Sequence, residues 1–259
     1  LQHGVTELYV SGEQRRAYQR YLEETLGEIL QDTSLPMEVR SERLYESAQG
    51  LVQEILQEPR SGQTRGRSAK LVKQMTKFIY GESDAFKHLM KVTSFDYYTY
   101  THSVNVFVFT TSLAQHVGFG EESVRPLGQG ALLHDLGKSM VHSSIVNARG
   151  QWQQMKLHPL YGYDILREQG ETNAVILDVV RHHHEKINGT GYPDGLRGNQ
   201  ISNWARMAAI ADIFDALTTK RSYKNAMESF PTLKFMQQEM QGELDTEFFK
   251  AFISLMGRQ

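Results

Sequence analysis

Histidine and aspartate residues recur along this sequence in a pattern that could bind divalent metal ions. His134 and Asp135 are adjacent, His158 follows them, and three consecutive histidines occupy 182–184. Neutral imidazole nitrogens and carboxylate oxygens are ligands that iron, manganese, nickel and zinc accept. Because neighbouring side chains on a helix point in different directions, His134 and Asp135 are predicted to lie where a helix ends, and Gly137 is predicted to supply the turn.

Other candidate ligands lie within predicted helices or at their ends. Asp212 and Asp215 are one turn apart in a helix that is otherwise apolar, and a buried Asp212 requires a cation or strong hydrogen-bond donors. Any one of these side chains alone would more often be an ordinary core or surface residue. Gathered in one chain, they favour a metal centre. The candidates are His102, His134, Asp135, His158, His183, His184, Asp212 and Asp215.

Such a set of residues suggests hydrolysis of a phosphodiester. Asp135 could bridge two cations through its two oxygens, and a two-metal centre spaced ~3.5–4 Å can hold a hydroxide for an in-line displacement at phosphorus. The cations also lower the pKa of the bound water from ~15.7 towards about 7. No side-chain nucleophile is then needed, which agrees with the absence of cysteine and of a G-x-S-x-G motif. The residues therefore predict a metal-dependent phosphodiesterase.

The composition limits the class of protein further. At 259 residues and 40% hydrophobic content, the chain can bury one large core with a smaller helical attachment. A formal net charge of -2 offers no general attraction for nucleic acid polymers or anionic membranes, so an anionic substrate must meet local positive charge. No apolar run approaches the ~20 residues of a membrane helix. The lack of cysteine fits a reducing cytoplasm, where we expect the protein to act.

The spacing of apolar residues predicts an almost entirely helical protein. Positions that share one helix face recur along the chain, and no long alternation typical of strands occurs. Asp84 is predicted to cap a helix, Gly118 to end one, and 60–68 to form a polar linker. The principal predicted helices cover 13–31, 36–55, 71–79, 97–117, 121–133, 152–168, 172–185, 203–219, 231–241 and 245–256.

Four motifs follow one another in a fixed order. They are His-Asp-Leu-Gly-Lys at 134–138, His-His-Glu at 183–185, Gly-Thr-Gly-Tyr-Pro-Asp-Gly at 189–195 and Ala-Asp-Ile-Phe-Asp-Ala-Leu at 211–217. Together they resemble the HD-GYP subgroup of the HD superfamily of metal-dependent phosphohydrolases. An HD pair alone is a weak signal, but this ordered set is highly specific. The resemblance covers roughly 70–259 and implies an all-α helical bundle as the catalytic domain, whereas 1–69 carries no such match.

The resemblance implies hydrolysis of the second messenger cyclic di-GMP to linear pGpG, to GMP, or to both. It also implies iron or manganese in a two- or three-metal centre, with nickel or zinc as alternatives. Carried over by motif, the metal ligands would be His102, His134, Asp135, His158, His183, His184 and Asp212. His134, Asp135 and Lys138 would be the catalytic residues, and Lys138 would stabilise charge that develops on a phosphate oxygen.

The same resemblance implies a set of substrate-binding residues. Arg221 and Lys224 would bind the phosphates, and Tyr192 would line the pocket. Asp96 and Asp215 would accept hydrogen bonds from guanine or orient neighbouring side chains. The whole predicted substrate-binding set is Asp96, Lys138, Tyr192, Asp215, Arg221 and Lys224.

Two positions depart from the family pattern. Trinuclear members carry a glutamate four residues before the first histidine, and Tyr98 stands there in this chain, so two metals are expected. Ser222 replaces a usual proline, which loosens the segment but keeps its cations. His182 is predicted to face away from the metals. Glu185 could bind a metal, but a hydrogen bond to a ligand imidazole is the favoured interpretation.

Alternative functions and the role of the first 69 residues stay open. The substrate could be 3',3'-cGAMP, or the chain could be a catalytically weak cyclic di-GMP sensor or scaffold. In the family, the loop at 191–193 is also implicated in contacts with diguanylate cyclase (GGDEF) domains, and a homodimer is a further option. Residues 1–69 are predicted to be an N-terminal helical region with a linker, and 70–259 the catalytic domain. The first region could be a signalling stalk, a dimerisation element or the end of a truncated regulatory domain, and a small helical collar against the catalytic bundle is the favoured interpretation.

Overall fold

Helices account for all the regular secondary structure that is described in this chain. The structure, a computed structural model, describes residues 11–93, 99–141, 148–219 and 226–257. These ranges contain twelve α-helices and no strand, which confirms the predicted all-α fold. The helices are α1 (Arg15–Gln31), α2 (Met37–Gln57), α3 (Thr64–Gly81), α4 (Ala85–Val92), α5 (Thr99–His116), α6 (Glu121–Leu133), α7 (Ala148–Met155), α8 (His158–Glu168), α9 (Ala174–His182), α10 (Asn203–Thr218), α11 (Ser229–Glu239) and α12 (Thr246–Met256).

Helix α5 lies at the centre of the bundle. Every residue from 101 to 114 is buried, and the helix contacts α2, α6, α10 and α12. Its two faces belong to two hydrophobic clusters, because Phe107 and Val108 pack among the N-terminal helices while Phe109 and Leu113 pack against the C-terminal ones. A helix that is covered on all sides lies in the interior of the bundle. Polar residues in α5 are therefore covered on every side.

The N-terminal helices are part of the same packed structure. Helix α2 contacts α4 and α5, and its Leu44 and Leu51 are fully buried in the cluster that also contains Phe107. Arg67 of α3 adds ion pairs to Glu23 at 2.6 Å and to Glu54 at 2.8 Å. These side chains are only partly exposed, so the contacts tie α1, α2 and α3 together.

Most predicted helices are present, with three informative differences. Helix α3 begins at Thr64, so the predicted polar linker at 60–68 is shorter than expected. The predicted helix at 152–168 is divided into α7 and α8, because Pro159 lacks an N–H and favours the first turn of a new helix. Asp84 occupies the N-cap position of α4 without a side-chain hydrogen bond, whereas Gly118 ends α5 with a φ of +93° as predicted.

Five helices bring the candidate ligands to one place. The end of α6, the start of α8 and the end of α9 meet beside the middle of α10 and the first half of α5. Within the described ranges, no helix combines the length and the apolar character that crossing a membrane requires.

Candidate metal centre

The His134-Asp135 pair lies where α6 gives way to a short 3-10 helix, Leu136–Met140. Gly137 in that turn approaches the first turn of α8 so closely that a Cβ atom would lie 2.0 Å from the carbonyl oxygen of His158. Its φ is not in the left-handed region, so the glycine is needed for close approach rather than for the turn itself. This contact places the HD pair next to His158.

Four buried histidines use one ring nitrogen to hold the ring in place. The Nδ1 atoms of His134, His158 and His183 lie 2.7, 2.6 and 3.0 Å from backbone carbonyl oxygens, and Nδ1 of His102 lies 2.6 Å from Asp215. Because a carbonyl oxygen only accepts hydrogen bonds, the Nδ1 atoms of the first three must carry the proton. In a neutral ring, Nε2 then presents a lone pair. These rings are fixed in the tautomer that metal binding needs.

The ligand atoms fall into two adjacent groups. One group contains His102, His134 and Asp135, and the other contains His158, His183 and His184. Within each group the candidate ligand atoms lie within 4.8 Å of one another. Groups of this composition could hold metal ions, with imidazole nitrogens as the main ligands.

Two aspartates connect the groups. Asp135 Oδ2 lies 3.4 Å from His134 Nε2, while its other oxygen lies 3.3 Å from His158 Nε2. Asp212 Oδ1 lies 3.0 Å from His102 Nε2, and its Oδ2 lies 3.5 Å from His184 Nδ1. Each carboxylate therefore faces both groups, which is the arrangement expected of bridging ligands.

Contacts inside this cluster fit bound divalent cations. Nε2 of His158 and Nε2 of His183 lie only 3.1 Å apart, and both rings have their Nδ1 proton committed to a carbonyl. Two lone pairs that face each other repel unless a cation lies near both. Asp135 Oδ1 is also buried without a hydrogen-bond donor among the described residues. An orphaned carboxylate oxygen costs free energy that a cation removes.

Neighbouring charges keep both aspartates ionised. Burial opposes the charge of Asp135, but His134 and Lys138 outweigh it and hold the pKa of Asp135 well below its usual value. Burial likewise opposes the charge of Asp212, but favourable interactions, of which the hydrogen bond from His102 is the largest, outweigh it and hold the pKa of Asp212 well below its usual value. Both carboxylates therefore carry the negative charge that a cation needs.

The histidines differ in protonation. Burial and neighbouring imidazoles hold the pKa of His183 well below its usual value, and burial with repulsion from His158 lowers the pKa of His184 to about 3 despite the charge of Asp212. His102 behaves oppositely, because its hydrogen bonds to Asp212 and Asp215 outweigh burial and raise its pKa to about 10. His183 and His184 are thus neutral at pH 7, and His102 would exchange its Nε2 proton for a cation.

Asp215 lies behind the cluster rather than in it. Its Oδ2 accepts from His102 Nδ1 and its Oδ1 accepts from Asn105 Nδ2 at 2.7 Å, while only 1% of the residue is exposed. The sequence left two roles open for Asp215, a contact with guanine or the orientation of a neighbour. The geometry favours orientation, since both oxygens are engaged and the carboxylate has no exposed surface for a base.

Lys138 lies at the edge of the cluster. Its Nζ is 2.6 Å from Asp135 Oδ2, and its side chain is 22% exposed. The backbone N–H of Lys138 also donates to the carbonyl oxygen of Asp135 at 2.9 Å, which keeps the lysine beside the carboxylate. The ammonium group can therefore meet an anionic ligand at this edge.

Glu185 anchors the loop 189–195. Its carboxylate accepts the backbone N–H groups of Asp194, Gly195 and Leu196 at 2.7, 3.0 and 3.0 Å. The predicted hydrogen bond to a ligand imidazole was therefore wrong, because both oxygens of Glu185 bind backbone amides. Three converging N–H groups form a strong site for a buried carboxylate, so the loop is fixed to the end of α9.

Tyr192 places an aromatic ring against a candidate ligand. Gly191 allows this, since a Cβ atom there would lie 2.6 Å from the carbonyl oxygen of His184. The Tyr192 ring stacks on the His184 ring with centroids 4.7 Å apart, and Lys156 Nζ lies 5.4 Å from the tyrosine centroid. The loop 189–195 thus places an aromatic ring against the cluster, and a role of Tyr192 in lining a substrate pocket stays a prediction.

His182 faces away from the metal cluster, as predicted. Its Nδ1 lies 2.7 Å from Asp178 and its Nε2 lies 2.9 Å from Asp194. Arg181 also binds Asp194 through two nitrogens at 2.7 and 3.0 Å. The first histidine of the triplet therefore stabilises the loop and is engaged at both nitrogens.

Several predicted residues lie outside the described part of the chain. These are Asp96, Arg221 and Lys224 of the substrate-binding set, together with Tyr98 and Ser222. Their roles stay predictions.

Sequence reasoning missed Asn105 and Tyr45. Asn105 lies one turn after His102 in the apolar helix α5 and binds Asp215, while Tyr45 donates to Asn105 Oδ1 at 2.5 Å. The signal that could have revealed Asn105 is the one that revealed Asp212, a polar side chain in a run that must be buried. No comparable signal marks Tyr45, because tyrosines are common on amphipathic helices.

The fold and the ligand cluster define a helical metal-binding protein of the HD type, and comparison with known proteins agrees. The model of the HD domain family matches residues 85–248, which is more than half of the chain. This chain belongs to the HD domain family.

Its relatives include hydrolases of cyclic dinucleotides. A cyclic di-GMP phosphodiesterase of Pseudomonas aeruginosa is 34% identical over 232 residues, which cover 86% of this chain and 56% of the relative. The 3'3'-cGAMP-specific phosphodiesterase 3 of Vibrio cholerae is 35% identical over 159 residues, covering 60% of this chain and 34% of the relative. The cyclic di-GMP phosphodiesterase response regulator RpfG of Xanthomonas campestris pv. campestris is 38% identical over 132 residues, with coverages of 48% and 34%. The chain thus spans about half or less of the length of these relatives.

A solved structure supports the fold. An HDG"Y"P protein from Bdellovibrio bacteriovorus superposes with a TM-score of 0.79 at 21% identity, covering 96% of this chain and 82% of the other. At that identity the likeness concerns the fold, which is the HD helical bundle that the motifs implied.

Proposed function

We propose that this chain is a metal-dependent phosphodiesterase that hydrolyses cyclic di-GMP to pGpG, to GMP, or to both. The observation that carries the proposal is the pair of histidine groups connected by Asp135 and Asp212. The relatives named as cyclic di-GMP phosphodiesterases support the choice of substrate. Two divalent cations, iron or manganese, are the proposed cofactors.

Each residue has a defined task in this proposal. The cations would be held by Asp135 and Asp212 together with His102, His134, His158, His183 and His184. Bound cations would supply Lewis-acid activation of water and phosphate. The protein fixes the tautomers of the rings, so little reorganisation is needed when a cation binds. Lys138 would neutralise charge on a phosphate oxygen at the edge of the cluster.

Substrate binding would use the surroundings of the cluster. Tyr192 would contact the nucleotide from the loop wall, and Arg221, Lys224 and Asp96 keep their predicted roles. Hydrolysis of one phosphodiester consumes one water and yields linear pGpG, and hydrolysis of the second yields two GMP. Arginine and lysine suit this task because they bind phosphate oxygens with charge-assisted hydrogen bonds.

A second candidate substrate is 3',3'-cGAMP. The relative in Vibrio cholerae that is named for it is as similar to this chain, at 35% identity, as the relatives named for cyclic di-GMP. In this proposal the metal cluster would contact phosphate rather than bases, so it would not distinguish the two substrates.

The decisive experiment compares both substrates on one protein preparation. The chain is freed of metal, reconstituted anaerobically with Mn²⁺ or Fe²⁺, and incubated with cyclic di-GMP or 3',3'-cGAMP, and the products are separated by chromatography. We expect linear or mononucleotide products from cyclic di-GMP at a higher kcat/KM than from 3',3'-cGAMP.

Two outcomes would overturn this proposal. Preferential cleavage of 3',3'-cGAMP would change the substrate. Bound metal with no cleavage of either nucleotide would instead favour a sensor or scaffold, whose loop 189–195 could bind a diguanylate cyclase domain. That partner and a homodimer remain predictions.

A further inference from the structure

Helix α2 is connected to the metal cluster by a chain of buried hydrogen bonds that begins at Tyr45. Tyr45 lies outside the residues that match the HD family, 85–248. We propose that Tyr45 is a positioning residue for the metal ligand His102, so that the N-terminal helices are part of the metal-binding unit. The inference rests on the metal centre of the proposed function and deepens it.

Every link of this chain is short. The Tyr45 hydroxyl donates to Asn105 Oδ1 at 2.5 Å, and Asn105 Nδ2 donates to Asp215 Oδ1 at 2.7 Å. The other oxygen of Asp215 lies 2.6 Å from His102 Nδ1. His102 Nε2 then points towards Asp212 at 3.0 Å, inside the cluster. Three side chains thus separate a ligand atom of the metal centre from the backbone of α2.

The direction of the hydrogen bonds follows from the chemistry of the groups. The Asp215 carboxylate accepts hydrogen bonds, so the amide of Asn105 must turn its NH₂ towards Asp215. Its carbonyl oxygen must then face Tyr45, and the phenol must donate. All the hydrogen bonds from Tyr45 to His102 therefore have one possible direction. The phenol proton of Tyr45 orients the Asn105 amide, the amide orients the Asp215 carboxylate, and the carboxylate orients the His102 ring.

Burial increases the cost of losing any one of these hydrogen bonds. Tyr45 is 5% exposed, and Asn105, Asp215 and His102 are each 1% exposed. In such surroundings water does not readily replace a lost donor, and a network with an unsatisfied group loses more than one hydrogen bond. Without the phenol proton, the Asn105 amide could rotate, and its hydrogen bond to Asp215 would be lost. His102 would then lose part of what holds its ring.

A second contact keeps α2 in place beside His102. Gln49 lies one turn after Tyr45 on α2, and its Nε2 donates to Thr101 Oγ1 at 3.2 Å. Thr101 immediately precedes His102 in α5. Two hydrogen bonds therefore join α2 to the turn of α5 that carries His102. The contact of Tyr45 is thus one of two that hold α2 against this turn.

The test compares Tyr45→Phe with Tyr80→Phe. Tyr80 is a matched control, because its hydroxyl also donates a hydrogen bond inside the bundle, to the Phe119 carbonyl oxygen at 2.7 Å, without contact with the metal cluster. Titration of metal-free full chain with Mn²⁺ should show about tenfold weaker binding for Tyr45→Phe, at the lower end of the 10–100-fold range for outer partners of a ligand. Tyr80→Phe should bind Mn²⁺ with the affinity of the wild type. Its melting temperature should fall about as much as that of Tyr45→Phe, because each variant loses one internal hydrogen bond.

Two further measurements separate positioning from general destabilisation. The activity lost by Tyr45→Phe should return when Mn²⁺ is raised about tenfold, since the defect lies in metal affinity. In a double-mutant cycle, Asn105→Ala should weaken Mn²⁺ binding, and adding Tyr45→Phe to it should cause little additional loss, because both residues act through one chain.

The outcomes distinguish this inference from the proposed function. Equal Mn²⁺ affinities for Tyr45→Phe and Tyr80→Phe, or additive losses in the cycle, would overturn the role of Tyr45 alone. Failure of the wild-type chain to bind Mn²⁺ would overturn the proposed function, and the role of Tyr45 with it. If Tyr45→Phe does not fold, Asn105→Ala and Gln49→Ala still test the connection, since both are predicted to weaken Mn²⁺ binding and unchanged affinities would refute it.

Discussion

In each histidine of this cluster, the ring nitrogen that already has a hydrogen-bond partner determines which nitrogen can bind a cation. Three of its imidazoles have Nδ1 committed to a backbone carbonyl, and His102 has Nδ1 committed to Asp215. Each ring can then offer only Nε2 to a cation. His184 differs, because its Nδ1 faces Asp212 and its ring stacks on Tyr192. The nitrogen that each histidine can offer to a cation therefore follows from the partner of its other nitrogen.

Lys138 provides the sharpest test of catalysis at the residue level. Lys138→Ala is expected to keep the metals, because no metal ligand is removed, and to slow turnover by roughly 10²–10³, the usual cost of losing one electrostatic stabiliser. Metal content and kcat are measured on the same sample. Lys250→Ala, which changes an exposed lysine of α12, is the control. Unchanged turnover in Lys138→Ala would show that its assigned role is wrong.

The sequence was informative about ligands because few residue types can bind iron or manganese. His134, Asp135, His158, His183 and Asp212 could be selected by type and then by motif, and the structure brings them together. The residues behind them could not be selected in this way. Asn105 and Tyr45 are chemically ordinary, and their importance depends on which side chain each one meets in space.

Among the structural elements, the loop 189–195 contacts the cluster although it supplies no candidate ligand. Glu185 binds backbone N–H groups of this loop, and Arg181 and His182 both bind its Asp194 side chain. Tyr192 at its centre contacts His184. The position of the Tyr192 ring therefore depends on hydrogen bonds made outside the metal cluster.

Glu185→Gln is expected to release this loop. An amide offers one acceptor where the carboxylate offers two, and its NH₂ group faces backbone N–H groups, so the free energy of unfolding should fall by about 1–3 kcal/mol. KM should rise more than kcat falls, because Tyr192 shifts while the metal ligands remain. Denaturant unfolding and steady-state kinetics measure both effects, with the exposed Glu239→Gln as control. A variant with unchanged KM and stability would contradict the anchoring role.

The packing of α3 against the end of α5 predicts a dependence on alkaline pH. Burial and the charge of Glu121 raise the pKa of Tyr80 to about 12, so the unfolded chain loses this proton first, near its ordinary value of about 10. The stabilisation is complete below pH 10 and declines as pH rises towards 12. Denaturant unfolding at pH 8 and pH 11 should show a smaller loss for Tyr80→Phe than for wild type. An equal loss in both proteins would contradict the shifted pKa.

Helices were predictable from sequence where one face is apolar, as in α1, α2 and α12. The boundary between α7 and α8 was not, because the apolar spacing continues across it and only the proline signals the break. Helices α5 and α10 were predicted from their apolar positions, but they are buried on nearly all sides, so those positions do not show which neighbours each helix contacts. Their mutual arrangement depends on contacts that no local pattern contains.

In the whole molecule, the N-terminal helices and the HD region share one core. Leu44, Leu51, Val52 and Ile55 of α2 are buried in the cluster that includes residues of α5, α6, α8 and α9. The sequence showed two amphipathic helices before 70 but could not show what covers their apolar faces. The division at 69 and 70 remains a prediction about domains.

Removal of residues 1–69 is expected to prevent stable folding of the remainder. Burial of a large aliphatic side chain contributes about 1.5–3 kcal/mol, so the loss of these four from α2 amounts to about 6–12 kcal/mol, which is comparable to the whole stability of a typical domain. The truncated chain should show weak near-ultraviolet circular dichroism and no cooperative thermal transition. A cooperative transition within a few degrees of the full chain would show that 70–259 folds independently.

The most direct measurement is the metal stoichiometry of the anaerobically reconstituted chain, determined by elemental analysis beside Asp135→Ala and the exposed control Asp164→Ala. We predict two equivalents of iron or manganese for wild type and for Asp164→Ala, and loss of both from Asp135→Ala with little change in helix content, because Asp135 faces both histidine groups. A wild-type chain without bound metal, or an Asp135→Ala variant that keeps two equivalents, would contradict a shared two-metal centre.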